Sequence, residues 1–380
     1  MPGSGNVLID AIAGIGWLSR GGDRNITFFF DNSFGFHNWT AGEKDAFQAA
    51  LQQYANVANI TIQQVGSSAG ADLSERWVSD ADMRSIFGDF AGFHEFPKSS
   101  PPAGGAYNFD GRSYYTTSGL AAGFEVFLHE IGHGLGLAHP HDTAMGTGLL
   151  PGVTSESSLG TLGYNQGLYT VMSYNDGPAL SSGSNNYGHA ATPMAFDIAA
   201  MQFLYGANNG YRTGADIYVI PDSNAAGASW QCIWDAGGTD EIAYYGSRDV
   251  TIDLRAATLV NGDPNAGGFT SGATGIFGGF TIAKGAVIEN VWGRKRERRH
   301  LGQRRQQPAC RQRGERHVLF HRRHGHRRRR SRRRQGDLFG QPVRLHGARS
   351  GNQHLGARVD RNERIDVGGA SPVCRRHDQS

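Results

Sequence analysis

The stretch FLHEIGHGLGLAHP, residues 127–140, is the most informative segment of this chain. Its first two histidines, His129 and His133, are four residues apart, so on a helix both imidazoles project from one face about one turn apart. This spacing lets two ring nitrogens reach one tetrahedral zinc ion. Glu130, beside the first histidine, can contact a metal-bound water without being a ligand itself.

The second half of the same stretch supplies a third ligand. Gly136 interrupts the helical pattern where the chain must turn sharply, because only glycine enters left-handed conformations at little cost. The turn brings His139 back toward the first two histidines. Three protein ligands leave one position for water, which is the arrangement of a catalytic zinc site. The alternative, an ordinary helix with exposed histidines, is disfavoured by the five fixed positions of HExxHxxGxxH.

Helical patterns lie on both sides of this stretch. TAGE, residues 40–43, is a capping box, and apolar residues follow it at helical spacing at Phe47, Ala50, Leu51, Tyr54 and Val57. A second helix is predicted over about residues 118–135, with an apolar stripe of Phe124, Phe127, Leu128 and Ile131. A third, TPMAFDIAAMQFLYG, carries Met194, Ile198, Met201, Phe203 and Leu204.

Strand patterns are shorter. NITIQQV predicts a strand after the first helix, and GGAYNFDG, residues 104–111, predicts an edge strand bounded by glycines. After Gly206 the sequence changes to short β-rich runs separated by Gly, Asp and Asn, such as DIYVI, EIAYY, VTIDL and GFTIA. The chain therefore begins with a mixed helix and sheet domain and continues with an all-β one.

Charge is distributed very unevenly along the chain. Residues 1–293 carry 27 acidic and 11 basic residues, a net charge of −16, whereas residues 294–380 carry 7 acidic and 26 basic residues, a net charge of +19. So abrupt a change favours a boundary near Gly293. Cys232 is the only cysteine before that boundary, so stability there must come from packing or metal rather than from disulfides.

Membrane insertion and conventional export signals are not expected. No apolar run of the sequence approaches the length of a membrane span. The N-terminal stretch MPGSGNVLIDAIAGIGWL lacks a basic region and has Asp10 within its apolar part, so it is not a conventional signal peptide.

A second motif, YTVMSYN at residues 169–175, lies downstream of the histidines. An extended histidine motif followed by a methionine turn is typical of the metzincin proteases, in which Met172 would be an apolar floor beneath the zinc. Pro140 directly after the third histidine, and Tyr174 after the methionine, resemble the serralysin branch of this group, in peptidase family M10. The resemblance covers about residues 5–293.

The resemblance implies a secreted, zinc-dependent endopeptidase that acts on protein substrates. Glu130 would accept a proton as the zinc-bound water attacks the scissile carbonyl, and would deliver it to the leaving amine. Tyr174 would ligate resting zinc and then swing away to hydrogen-bond the oxyanion. The strand at residues 104–110 would bind substrate backbone by strand addition, or would be a passive edge. A type I exporter that reads a C-terminal signal would explain an extracellular location without an N-terminal signal peptide.

The resemblance also implies a calcium-binding β-roll behind the protease domain. DAGGTD, residues 235–240, resembles one turn of the glycine–aspartate calcium repeat. Carboxylates and carbonyls at glycine-rich turns suit a hard cation. By position, the family's first calcium sites map onto Arg212, Gly214, Asp216, Asp235, Gly237, Gly238, Asp240 and Glu289. The alternative is a set of solvated turns.

Residues 294–380 depart from this pattern, with 25 arginines against 8 in the rest of the chain. A disordered basic tail, a nucleic-acid-binding tail and a shifted reading frame would each explain them. Read one nucleotide forward with permitted codons, residues 293–320 can become VGSGNDDTWGNAANNRLAGNGGNDTFF, which contains calcium-repeat signatures. We therefore favour a frameshift after about Gly293, which leaves the arginines without function and makes nucleic acid an unexpected partner.

Together these patterns and the family resemblance predict a metzincin-type α+β zinc protease domain over residues 1–208, with a twisted mixed sheet and long helices. Residues 209–293 would begin an all-β, parallel β-roll-type calcium domain, left incomplete by the tail at residues 294–380. Two alternatives stay open. One is a non-enzymatic, calcium-binding secreted module with a decayed protease domain, and the other is nucleic-acid binding through the basic tail.

Overall fold

The computed structural model describes residues 3–33, 36–108, 110, 122–293 and 299–301. Its helices are Val7–Asp10 (α1), Ala41–Val57 (α2), Asp80–Ile86 (α3), Ala122–Gly134 (α4), Gly177–Leu180 (α5) and Ala195–Tyr205 (α6). Its strands are Asn25–Phe30 (β1), Thr61–Gln64 (β2), Leu73–Val78 (β3), Gly92–His94 (β4), Ala103–Asn108 (β5), Ile217–Val219 (β6), Trp230–Ile233 (β7), Glu241–Tyr244 (β8), Val250–Asp253 (β9), Ser271–Ala273 (β10), Gly279–Ile282 (β11), Asn290–Gly293 (β12) and Arg299–Leu301 (β13).

The first sheet is mixed, as predicted. Its five strands have the order β2-β1-β3-β5-β4. The first four of these are parallel, and β4 pairs antiparallel with β5. Helices α2 and α4 pack on this sheet through a cluster of buried aromatic rings at Phe30, Trp39, Phe47, Trp77, Tyr107 and Phe127. Aromatic side chains bury large areas, so this cluster fixes α4 against the sheet.

The predicted helices are confirmed within the described residues. At the start of α2, the amide of Thr40 donates to Oε2 of Glu43 at 2.8 Å, and the amide of Glu43 donates to the Thr40 hydroxyl at 3.4 Å. The apolar residues predicted for the buried stripe of α4 are all buried. Residues 118–121 lie outside the described residues. Of the apolar residues noted for the third predicted helix, Phe203 has a side chain that is 40% exposed, whereas the others, Met194, Ile198, Met201 and Leu204, are buried.

The prediction of an edge strand at residues 104–111 is wrong. β5 lies inside the sheet between β3 and β4, and all of its residues are buried. Its glycines have a packing role instead, since a Cβ added at Gly105 would overlap the carboxylate of Glu75 and lie 2.7 Å from Cδ2 of His94. Neighbouring side chains from both sides occupy the space that a side chain on β5 would need. The edge of this half of the sheet is β4.

Two further sheets, of five and three strands, follow α6. One is mixed, with the order β13-β9-β10-β11-β7, and the other, β12-β8-β6, is parallel throughout. An all-β character is therefore present in the described part of residues 209–293. The further calcium repeats, the proposed frameshift and the basic tail concern residues that, apart from β13, lie outside the described part of the chain.

The hydrophobic core continues from the first sheet into the later ones. Polar contacts also join them: the hydroxyl of Tyr164 donates to the carbonyl of Asp263 at 2.7 Å, and Nε1 of Trp234 donates to the carbonyl of Asn208 at 2.9 Å. These contacts join the β-rich segment after α6 to the part of the chain that carries the first sheet and its helices. Among the described helices, none is both long and apolar enough to cross a membrane.

Candidate metal centre

Helix α4 and the turn after it bring three histidines together. His129 and His133 lie one turn apart on α4, which ends at Gly134. Gly136 then has a φ of 103°, and a Cβ there would lie 2.6 Å from the carbonyl oxygen of Ile15. Both backbone conformation and space therefore require glycine at the turn that returns the chain to His139.

The three imidazoles converge on one point through their Nε2 atoms. These atoms lie 3.1 Å apart for His129 and His133, 3.1 Å for His129 and His139, and 2.9 Å for His133 and His139. Zinc–nitrogen bonds at tetrahedral angles place ligand nitrogens roughly 3.3 Å apart, so the observed triangle is close to the size that such an ion requires. All three side chains are buried.

Each Nδ1 atom has an acceptor that determines where the ring proton lies. Nδ1 of His129 donates to the carbonyl of Val171 at 2.7 Å, and Nδ1 of His133 donates to the carbonyl of Leu137 at 2.8 Å. Nδ1 of His139 donates to Oδ2 of Asp142 at 2.7 Å. In a neutral imidazole the other nitrogen then carries a lone pair. Three lone pairs facing one another repel, unless a cation lies between them.

The pKa values of the three rings favour the neutral form. Burial lowers the pKa of His129 to about 4. Burial, followed by the neighbouring imidazoles, lowers the pKa of His133 and His139 well below 6.5. Metal ligation requires neutral imidazole, so this buried site suits a divalent metal ion such as zinc at neutral pH.

Glu130 lies beside the histidines in α4 and is fully buried. Neither of its carboxylate oxygens has a hydrogen-bond partner within the described part of the chain. Burial, and then the charge of Glu75, raise the pKa of Glu130 well above 4.5. A buried carboxylate with a high proton affinity and two free oxygens is suited to accept a proton from a small molecule held nearby.

The predicted methionine turn packs directly against α4. Met172 is fully buried, and a Cβ added at Gly132 would lie 2.7 Å from its sulfur atom. Gly132 lies between His129 and His133 in the helix, so the absence of a side chain there lets the methionine approach beneath them. The preceding carbonyl, that of Val171, is the Nδ1 acceptor of His129.

The sequence analysis did not identify Asp197, which ties the methionine turn to α6. Its Oδ1 accepts a hydrogen bond from the Thr170 hydroxyl at 2.6 Å, and its Oδ2 accepts from the amides of Val171 and Met194 at 2.8 Å each. Burial raises the pKa of Asp197 to about 7. In sequence, Asp197 is only one acidic residue at the start of a helix, and no spacing relates it to the histidines.

Three side chains lie beside His139. Tyr174 was identified in the sequence analysis, whereas His141 and Asp142 were not. The Tyr174 ring centroid is 4.8 Å from that of His139 and 5.7 Å from that of His129. His141 stacks on His139, with centroids 4.8 Å apart and planes 11° apart. Asp142 orients the ring of His139 by accepting a hydrogen bond from its Nδ1 atom. Both His141 and Asp142 follow the motif directly, so HxHD could have drawn attention to them.

A separate ion pair fastens the first turn of α4. Nδ1 of His189 lies 2.9 Å from Oε2 of Glu125, and its Nε2 donates to the carbonyl of Ser184 at 2.8 Å. Burial alone would lower the pKa of His189, but the Glu125 carboxylate and the Ser184 carbonyl raise it to about 9. His189 is therefore charged at neutral pH, and this pair anchors α4 away from the converging histidines.

The acidic residues predicted to bind calcium lie together in a second cluster. One carboxylate oxygen each from Asp216, Asp235 and Asp240 lie within 4.8 Å of one another. Oδ2 of Asp240 is buried and has no hydrogen-bond partner in the described part of the chain. Burial, and then the neighbouring acidic groups, raise the pKa of Asp240 to about 6. Crowded carboxylates with an orphaned oxygen fit a hard cation such as calcium.

The other residues assigned to calcium surround this cluster. Oε2 of Glu289 accepts from the amide of Asp240 at 2.9 Å, and Nη1 of Arg212 donates to Oδ1 of Asp216 at 3.1 Å. Gly237 and Gly238 both have a φ of 147°. A Cβ at Gly238 would overlap the carbonyl oxygen of Gly214, so glycine is needed for the two turns to approach each other.

Comparisons with known proteins agree with this geometry. The matrixin family of M10 peptidases matches residues 19–147. The chain is 30% identical to serralysin B of Dickeya chrysanthemi over 290 residues, which cover 71% of this chain and 56% of that protein. It is 31% identical to a serralysin C of the same organism over 294 residues, covering 72% and 58% respectively. It is 30% identical to metallopeptidase AprA of Pseudomonas marginalis over 285 residues, covering 68% and 54%. The chain thus spans little more than half the length of these relatives.

Proposed function

This chain belongs to the serralysin-type metzincins of peptidase family M10. We propose on this basis that it is a zinc-dependent endopeptidase acting on protein substrates. The observation that carries this proposal is the triangle of Nε2 atoms from His129, His133 and His139. Their protons are held on Nδ1 by other acceptors, so all three lone pairs are available to one ion. Three ligands leave a position for water, as a hydrolytic site requires.

Glu130 is the general base and acid of the proposed reaction. Zinc at this site would polarise a water molecule and lower its pKa to about 7. A carboxylate oxygen of Glu130 takes the proton that this water loses as it attacks the scissile carbonyl, and returns the proton to the leaving amine. The buried position of Glu130 and its unpartnered oxygens support this role.

Tyr174 and Met172 complete the proposed site. Tyr174 lies against His139 and His129, which is where a fourth ligand or an oxyanion donor would act. We assign to it both roles implied by the family resemblance. Met172 supports the ligand helix at Gly132 and supplies no reacting group.

Substrate backbone is proposed to add to β4. This strand lies at the end of the sheet order, and Gly92 in it approaches the side chain of Glu130. An extended peptide paired with a sheet edge gains backbone hydrogen bonds without needing a particular side chain. The sequence analysis proposed the strand at residues 104–110 as a candidate for substrate addition. Because β5 is already paired on both sides, the neighbouring strand β4 is proposed instead.

Cleavage of casein by the full chain tests the proposed function. We expect zinc-dependent cleavage that 1,10-phenanthroline abolishes and added zinc restores, because the three histidines leave an open coordination position. A chain that binds one zinc ion yet cleaves neither casein nor a mixture of denatured proteins would contradict the proposal. That result would favour the alternative of a non-enzymatic secreted module.

A calcium ion is proposed at the acidic cluster of Asp216, Asp235 and Asp240. The orphaned oxygen of Asp240 and the mutual repulsion of the three carboxylates support a bound cation. At Gly238, the absence of a side chain leaves room for both the carbonyl oxygen of Gly214 and Oδ1 of Asp240. Hard cations prefer this combination of oxygen ligands.

The replacement Asp240→Asn tests this site. At a calcium concentration about 100-fold above Kd, binding contributes about 2.7 kcal/mol, so Tm of the unaltered chain should rise by on the order of 5 °C. Asp240→Asn should lose most of this rise, yet be at least as stable in EGTA, because a repelling charge has been removed. Thermal unfolding with and without calcium measures both effects. Asp249→Asn, an exposed aspartate of the same β-rich segment, is the matched control and should keep the rise.

Extracellular location and type I export are proposed from the family resemblance alone. The nucleic-acid alternative depends on the basic tail, which, apart from β13, lies outside the described residues. A casein assay and a salt-dependent DNA-binding assay on the full chain would distinguish nucleic-acid binding from proteolysis.

A further inference from the structure

A buried ion pair lies on the face of the first sheet that α4 covers. Glu75 of β3 and His94 of β4 are both in register with Gly105, which lies between them on β5. Because glycine has no side chain, Glu75 and His94 meet above it, with Oε1 of Glu75 3.0 Å from Nε2 of His94. We call these two residues the sheet pair. Both side chains are 0% exposed.

The sheet pair lies against the helix that carries the proposed zinc ligands. A Cβ added at Gly134, next to His133, would lie 2.7 Å from Cε1 of His94. Two residues earlier in β4, a Cβ added at Gly92 would lie 2.9 Å from Cγ of Glu130. Positions two apart on a strand and four apart on a helix each share one side. Strand β4 therefore contacts α4 at two successive points, and the His94 ring is the spacer at one of them.

Charge distinguishes the sheet pair from ordinary packing. Burial alone would lower the pKa of His94, but the Glu75 carboxylate and the carbonyl of Glu95 raise it above 6.5. Nδ1 of His94 donates to that carbonyl at 2.6 Å, so the ring is held through both nitrogens. Apolar residues of similar volume would avoid the desolvation cost of a buried pair, so the pair is a poor means of stabilising a sheet. Its geometry is better suited to holding one ring in one place.

We propose that the sheet pair is a positioning element for peptide hydrolysis. It sets the distance between β4, to which substrate adds, and α4, and so places Glu130 relative to the scissile bond. Glu75 acts by holding His94, and His94 acts by its contact with Gly134, so neither residue touches substrate. This inference rests on the proposed function, since it assigns the pair a role in that reaction.

The double variant Glu75→Gln/His94→Ala removes the ring and leaves no unpaired buried carboxylate. We expect kcat for a peptide substrate to fall about tenfold, because small displacements of a catalytic group are costly, while zinc affinity against a competing chelator stays within twofold. The Ki of a peptide hydroxamate should rise about tenfold as well. This second readout reports the placement of Glu130 and β4 without turnover. Thermal unfolding establishes that each variant is folded at the assay temperature.

A compensating change separates spacing from general damage. The methyl group of Gly134→Ala points into the space of the His94 ring. Introduced alone it should lower kcat, but in the Glu75→Gln/His94→Ala background it should raise kcat toward that of the unaltered chain. The single variant Glu75→Gln keeps the shape of the site and should lower kcat severalfold, which tests the pair even if the double variant does not fold.

His189→Ala is the matched control, since it breaks another histidine–glutamate pair that holds the same helix. It should lower Tm and leave kcat and the hydroxamate Ki within twofold. The inference is overturned if folded Glu75→Gln/His94→Ala, or Glu75→Gln where the former is unfolded, keeps both kcat and Ki within twofold of the unaltered chain. Failure of the proposed function would differ, because the unaltered chain would then show no zinc-dependent cleavage at all.

Discussion

Replacing Glu130 with glutamine is expected to lower kcat for casein by about 10³-fold, with zinc content unchanged at one ion per chain. Glutamine keeps the shape of the side chain but cannot accept a proton, so the attacking water must lose its proton to solvent. The group of side chains that could hold the metal consists of three histidines and does not include Glu130, so metal binding should not need Glu130. Initial rates with casein, together with zinc analysis of the purified variant, measure the two effects.

The second glutamate of α4 provides the control for this replacement. Glu125 lies in the same helix but pairs with His189, away from the metal centre. Glu125→Gln should lower Tm while keeping kcat within twofold. If Glu130→Gln cleaved casein at a rate close to that of the unaltered chain, general-base catalysis by this residue would be ruled out.

Replacing His133 with alanine is expected to abolish both stable zinc binding and activity, to below about 10⁻³ of the unaltered rate. His133 is one corner of the Nε2 triangle, and its loss leaves two histidines, too few to hold a catalytic zinc ion firmly. The apo protein should still fold, because the replacement removes one of three mutually repelling lone pairs. Zinc titration in competition with a chelator, followed by circular dichroism, measures binding and folding separately.

His141→Ala tests whether ligation is specific to this triangle. His141 stacks on His139 but contributes no nitrogen to the triangle. Its replacement should therefore retain one zinc ion per chain. Loss of zinc from His141→Ala, with retention of zinc in His133→Ala, would indicate that the metal binds instead to the neighbouring group of His139, His141 and Asp142.

Much of the candidate site is predictable because its chemistry is local in sequence. His129, Glu130 and His133 share one helix, and Gly136 must allow the turn that brings His139 back. Spacing along a helix converts directly into position in space, so the motif alone indicates a metal site. The capping box at Thr40 and Glu43 is equally local, and it starts a helix where predicted.

The errors concern contacts that no local spacing records. In sequence, the glycines of β5 look like the boundary of an edge strand. In the structure, Gly105 has no side chain between Glu75 and His94, so these two side chains contact each other above it. Strand order depends on which distant segments pair, and the alternation along a single strand does not reveal its neighbours. Phe203 in α6 is apolar yet exposed, and helical period alone does not say which face of a helix another element covers.

The proposed metal ligands, the neighbouring general base and the methionine turn follow from the order of residues, because each depends on residues a few positions apart. The contacts that support them are visible only in the folded chain. Asp197 binds the methionine turn from α6, β4 replaces β5 as the end strand of the described sheet, and the sheet pair spans three strands. These contacts join residues far apart in the chain, and their free energy becomes available only when the sheet and α4 have packed together.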